Sequence, residues 1–165
     1  MTDNFKRSKY IRLALIVGCV VALDQTTKAL VQKTMALYHS VPVIPGFFSL
    51  THIHNPGGAF GFMARQGPGV RAFLFLAVSF LAILLLFYLY RKIPVTYQWL
   101  SAGLALIMGG ATGNLIDRVR FGEVIDFLDF YIGTHHWPAF NVADSAVTVG
   151  ISVLLIHMVL GKLPE

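Results

Sequence analysis

Four apolar stretches, each close to the length that crosses a bilayer, constrain this chain more than any other feature. A span needs about 20 residues, because roughly 30 Å of hydrocarbon is covered at about 1.5 Å per helical residue. Phe73 to Tyr90 and Ile93 to Ile116 carry no charge, and Ser145 to Gly161 carries only His157. Leu13 to Leu30 is interrupted by Asp24 and Lys28, four residues apart near one end. That spacing puts both on one helical face, where they pair. The expected spans are residues 12–32, 71–90, 96–117 and 143–161, in a single integral membrane domain with an outer segment over about 33–70. Charged residues make up 13% of the chain, about half the usual soluble share.

The formal net charge of +5 does not point to nucleic acid, because the cations punctuate the gaps between apolar runs. Lys6, Arg7, Lys9, Arg12, Arg91, Lys92 and Lys162 fall in short flanks on one side. Lys33, Arg65, Arg71, Arg118 and Arg120 are spread over longer segments on the other. The positive-inside rule then predicts cytoplasmic termini, with the segments from Lys33 to Arg71 and from Asp117 to Asn141 facing outward. Ile16-Val17-Gly18-Cys19 offers an alternative, a cleaved leader with Cys19 as lipid anchor. Three further spans favour an uncleaved first helix. One cysteine permits neither a disulfide framework nor a cysteine zinc site within the chain.

Val41 to His54 mixes β-branched and aromatic residues with Pro and Gly, and Asn55-Pro56-Gly57-Gly58 is a turn signal. A small β-rich sheet at the outer interface is expected. The fold class is thus all-α, four transmembrane helices with a small outer β segment.

Ionisable residues in spans are costly and mark function. Asp24, Lys28, Asn114, Asp117 and Arg118 fall at outer span ends, Asp126 and Asp129 in the following loop, Asn141 and Asp144 at the start of span four, and Asn55 in the outer segment. All sit at about one depth. Gly109 and Gly113 make a small-xxx-small face for close helix approach. Gly110, Asn114 and Arg118 make a neighbouring face, which helix packing and a snorkelling arginine also explain. Asn141 and Asp144 suit helix capping, although one cap suffices. Two carboxylates sharing a site do not both ionise, so one takes a proton from water while the other donates to a carbonyl. That hydrolyses a peptide bond with no metal and no cofactor. His52, His54, His135 and His136, with Asp126 or Asp129, form an alternative zinc set. No Gly-x-Ser-x-Gly elbow or His-Glu-x-x-His motif occurs. A proton-coupled transporter or channel, or an assembly subunit glued by polar groups, are the competing classes.

Five short motifs in order resemble lipoprotein signal peptidase, also called signal peptidase II: Asp24-Gln25-Thr26-Thr27-Lys28, Asn55 to Gly61, Gly109 to Arg118, Val124-Ile125-Asp126-Phe127 and Phe140-Asn141-Val142-Ala143-Asp144. The resemblance implies an inner-membrane aspartyl peptidase with Asp126 and Asp144 as catalytic dyad. It implies Asn55, Asn114, Arg118 and Asn141 around them, and Asp24 and Lys28 in the conserved polar set, with Gly110 in the third motif. It further implies a prolipoprotein substrate with a diacylglyceryl cysteine, cleavage on the N-terminal side of that cysteine, and inhibition by globomycin. A monomer in membrane lipid is expected.

Overall fold

In the computed structural model, residues 2–57 and 67–162 are described. Gly58 to Gly61 of the second motif, Arg65 and the adjoining part of the outer segment lie outside the described residues. The elements run α1 (Thr2–Thr34), β1 (Ser40–Ile44), β2 (Phe48–Asn55), α2 (Pro68–Lys92), α3 (Gln98–Phe121), β3 (Val124–Ile132), β4 (His135–His136) and α4 (Val142–Val159). Among the described residues, four helices are long and apolar enough to cross a membrane.

Local chemistry sets the helix ends. Pro68 opens α2, where a missing N–H costs nothing. Ile93 ends it in extended backbone (ψ 127°) because it precedes Pro94. Gly122 closes α3 in the left-handed region at φ 77°, its N–H donating to the Arg118 carbonyl. At α4 the sequence argument that one cap suffices is corrected. Asn141 Oδ1 accepts from the Asp144 N–H at 2.9 Å, and Asp144 Oδ2 accepts from the Asn141 N–H at 3.3 Å. The two form a reciprocal capping box, an arrangement worth about 0.5–2 kcal/mol. Cys19, the other option for a lipid anchor, is exposed midway along α1.

Helix α3 packs against α1, α2 and α4 and is the most buried of the four. Leu13, Tyr90, Ile93, Leu100, Leu104, Ala105 and Met108 form an apolar core at the end of the bundle away from the strands. Glycines let the partners of α3 come close. A Cβ on Gly110 would overlap the Ala143 carbonyl of α4, and one on Gly113 would lie 2.6 Å from Asp24 Oδ2 of α1.

The strands form an antiparallel sheet in the order β1-β2-β3-β4. The segment carrying Asp126, expected as a loop, is strand β3. Its residues are apolar on both faces, so alternation gives no strand signal, and pairing with β2 decides the matter. A one-residue shift between Leu50 and Ile53 has a functional consequence. The register Leu50↔Leu128, continued regularly, would place His52 and His54 on the face of Asp126. After the shift, Ile53 pairs with Asp126 and Asn55 with Val124. A slip of one residue exchanges the two faces of a strand, so Asn55 becomes the diagonal neighbour of Asp126.

Candidate active site

At the sheet end of the bundle, α1, α3, α4, β2 and β3 converge on a buried polar cluster. Asp24, Lys28, Asp117, Asp126 and Asn141 are each at most 2% exposed. Asp126 enters on β3. Its Oδ1 accepts from Asn141 Nδ2 at 2.7 Å, and its Oδ2 accepts from Asn55 Nδ2 at 2.9 Å. The Asn55 Oδ1 in turn accepts from the Gly57 N–H at 2.9 Å, which fixes the amide's orientation. Asp144 enters from the first turn of α4, half-buried, and its Oδ1 accepts from Asn114 Nδ2 at 2.8 Å.

Asn114 and Asn141 link the two acids. Asn141 Nδ2 also donates to Asn114 Oδ1 at 3.1 Å and to the Ile125 carbonyl at 3.2 Å. Asp126, Asn141, Asn114 and Asp144 therefore form one continuous hydrogen-bonded chain. Burial pushes the Asp126 carboxyl up to about 7, and the nearby Asp144 charge adds to this. The Asn55 and Asn141 amides and the Lys28 ammonium act in the opposite direction. A carboxyl that holds its proton near neutral pH beside a more exposed acid is suited to acid–base work.

Arg118 lies in the last turn of α3, at the end of the span as expected. Its Nη1 donates to Ser79 Oγ and to the Asn114 carbonyl, both at 3.4 Å, and its guanidinium stacks over Phe75 at 5.6 Å. Asp144, Asp117 and Asp126 are within its electrostatic reach. The stripe Gly110, Asn114, Arg118 thus serves three contacts in turn: the α4 backbone, the Asp144 carboxylate and α2.

Asp24 and Lys28 pair at 2.8 Å, and Lys28 also meets Asp117 at 2.6 Å and donates to Asn114 Oδ1 at 2.9 Å. Asp117 and Gln25 are the site residues that the motif reading left unassigned. Gln25 Nε2 donates to Asp117 Oδ1 at 2.9 Å, to Asp24 Oδ2 at 3.2 Å and to the Gly113 carbonyl at 3.2 Å. The available signal was Asp117 itself, an acid three residues from Asn114 on the same helical side.

The histidines lie apart from this chain of bonds. His52 Nδ1 faces the Met35 carbonyl at 3.0 Å, His54 Nδ1 faces Glu123 at 3.3 Å and His136 Nδ1 faces Asp129 at 2.9 Å. Among the described residues, no three His, Cys, Asp or Glu side chains gather as a metal set. A groove of about 530 Å³ opens beside Asp144, along Ser145, Thr148 and Val149 of α4, under Trp137 and Phe140.

The family model for signal peptidase (SPase) II matches residues 16–160. A lipoprotein signal peptidase from Desulforapulum autotrophicum is 57% identical over 155 residues, covering 94% of this chain and 96% of the relative. One from Geobacter metallireducens is 45% identical over 153 residues, covering 93% of each. A bacterial membrane enzyme solved by the in meso method at 2.3 Å resolution superposes with a TM-score of 0.80 at 32% identity, covering 93% of this chain and 92% of that one.

Proposed function

From the premise that this chain belongs to the signal peptidase II family, an aspartic peptidase that removes signal peptides from lipoprotein precursors, we propose that Asp126 and Asp144 are its catalytic pair. The observation that carries the assignment is the bond chain Asp126–Asn141–Asn114–Asp144, which joins two acids from separate elements in unequal surroundings.

Asp144, the more exposed of the two acids, is the ionised member and takes a proton from the attacking water. Asp126, buried and protonated near neutral pH, donates its proton to the scissile carbonyl oxygen. Water oxygen bonds to the carbonyl carbon, giving a gem-diol. On collapse the C–N bond breaks. The proton on Asp144 passes to the leaving nitrogen, and a gem-diol hydroxyl returns a proton to Asp126. Arg118 holds a substrate carbonyl with its fixed fork of donors.

The substrate is a precursor whose cysteine carries diacylglycerol, cleaved on the N-terminal side of that cysteine. The groove beside Asp144 runs along the exposed Thr148 and Val149 flank of α4, which suits a substrate already seated in the bilayer. Both termini are cytoplasmic and the site lies near the outer face of the inner membrane, as the basic flanks Arg7, Arg12, Arg91 and Lys92 support. A globomycin-type inhibitor is expected to block the cleavage.

The test is cleavage of a diacylglyceryl-modified prolipoprotein by the purified protein in detergent with EDTA present. Wild type cleaves, while Asp126→Asn and Asp144→Asn remain folded and lose at least about a thousandfold in rate. Near-normal cleavage by either variant removes that residue from the pair.

A further inference from the structure

Beside the two proposed catalytic acids lies a second set of charges, Asp24, Lys28 and Asp117, each at most 1% exposed. Among the described residues, its hydrogen bonds and ion pairs do not reach Asp126 or Asp144 directly. They reach the backbone next to each. Asp24 Oδ1 accepts from the Ala143 N–H at 2.9 Å, and Ala143 immediately precedes Asp144. Asp117 Oδ2 accepts from the Ile125 N–H at 3.3 Å, and Ile125 immediately precedes Asp126. One ammonium, Lys28 Nζ, joins the two carboxylates at 2.8 Å and 2.6 Å.

We infer that Asp24 and Asp117 are paired positioning residues, each holding the main chain one residue before a catalytic acid, and that Lys28 ties them together and so sets the spacing of the acids. This inference rests on the dyad assigned above. The geometry gives each partner a physical reason. Ala143 is the second residue of α4, so its N–H lacks an intrahelical acceptor and needs an outside one. The acceptor comes from α1, which locks the start of α4 to the first helix. The Ile125 N–H is held from α3, which locks β3 to the bundle as well as to the sheet.

Lys28 also orders the amide that serves Asp144. The Asn114 carbonyl oxygen faces the ammonium at 2.9 Å, so its Nδ2 is left to donate to Asp144 Oδ1. The flipped amide would set NH₂ against an ammonium and a carbonyl against a carboxylate. Such a cluster adds little net stability, because desolvation of the charges offsets their attraction. Its value is geometric.

The experiment measures kcat and KM for a diacylglyceryl-modified prolipoprotein across pH, with thermal unfolding of each variant in the same detergent. Asp24→Asn and Asp117→Asn should lower kcat by about a hundredfold at little-changed KM, as a displacement of roughly 1 Å does. Lys28→Met should move the alkaline limb of kcat/KM to higher pH. The charged groups around Asp126 are Lys28 on α1, Arg118 and Asp117 on α3 and Asp144 on α4, and Lys28→Met removes a cation from that set.

Folded Asp24→Asn and Asp117→Asn proteins with wild-type kcat and pH profile overturn the inference. Should these variants fail to fold, Gln25→Met decides. Gln25 is half-buried on the rim of the cluster and donates to both carboxylates. A loss in kcat of several-fold at unchanged KM supports positioning, and unchanged kcat overturns it. Asp126→Asn, run in parallel, separates the two claims. If that variant cleaves normally the dyad fails, whereas if it is inactive and the cluster variants are normal, only the positioning role fails.

Discussion

Lys9 and Lys28 are both buried on α1, about 28 Å apart along the helix at 1.5 Å per residue, and their surroundings differ in kind. Lys9 Nζ donates to the carbonyls of Tyr90 and Ile93, each at 2.6 Å, and lies 4.8 Å from the centroid of the Tyr90 ring. The Tyr90 hydroxyl donates back to the Lys9 carbonyl at 2.8 Å. A cation at the last carbonyls of α2 meets the negative end of the helix dipole. That contact fastens α1 to α2 and involves no carboxylate. Lys28 meets two carboxylates and an amide, and every one of those partners leads to a proposed catalytic acid. Two lysines of one helix thus sit in different settings: one closes a helix end, the other joins the charged cluster beside the proposed catalytic acids.

The strongest way to break this comparison is to remove the partners. Asn114→Ala deletes the donor to Asp144 and the acceptor of Lys28, and kcat for prolipoprotein cleavage is expected to fall about a hundredfold. Lys9→Met is expected to leave kcat per folded molecule unchanged while lowering stability by about 2–3 kcal/mol, the scale of lost charge-assisted bonds. Steady-state kinetics with thermal unfolding in detergent checks both. Equal kcat losses in the two variants would erase the distinction.

A subtler contrast uses glycine. Gly113→Ala places a methyl against Asp24 Oδ2, and Gly18→Ala, on the same bundle, meets nothing within 4 Å. The first should cost about tenfold in kcat, in line with about 1–3 kcal/mol for overpacking that shifts its neighbours. The second should be neutral. Comparable rates for the two alanine variants would show that the Asp24 carboxylate can move without consequence.

The smallest expected effect is on pH. Asp126 releases its proton near pH 7 in the folded protein and near the ordinary carboxylate value when unfolded. Between those values the folded state binds more protons, so stability through this group declines as pH rises from about 4 to about 7. The thermal midpoint should show that slope in wild type and in Lys9→Met, and lose it in Asp126→Asn. In the same range kcat/KM should fall as pH rises through about 7, because the proton donor is lost. A flat activity profile through pH 7 would assign the proton to the other acid.

Four helices were legible because lipid is a demanding solvent. A run such as Phe73 to Tyr90 has no other comfortable place, and every backbone polar group in it must bond within the helix. Asp24 with Lys28, and the order of the five motifs, were legible for similarly local reasons. The strand carrying Asp126 was not, since Val124 to Phe130 has no alternation and its pairing partner lies some 70 residues earlier in the chain.

Amino-acid sequence alone carried the solvent, the number of membrane-length helices, the family and the residue inventory of the candidate site. Each follows from residue type and near-neighbour spacing. Tertiary structure alone decided which groups meet. The shift between Leu50 and Ile53 chose Asn55 over His54 as the partner of Asp126, the reciprocal cap gave Asn141 and Asp144 two duties, and Asp117 became the second carboxylate on Lys28. Those choices depend on strand register and helix packing between distant segments, which a one-residue slip reverses while leaving every local pattern intact.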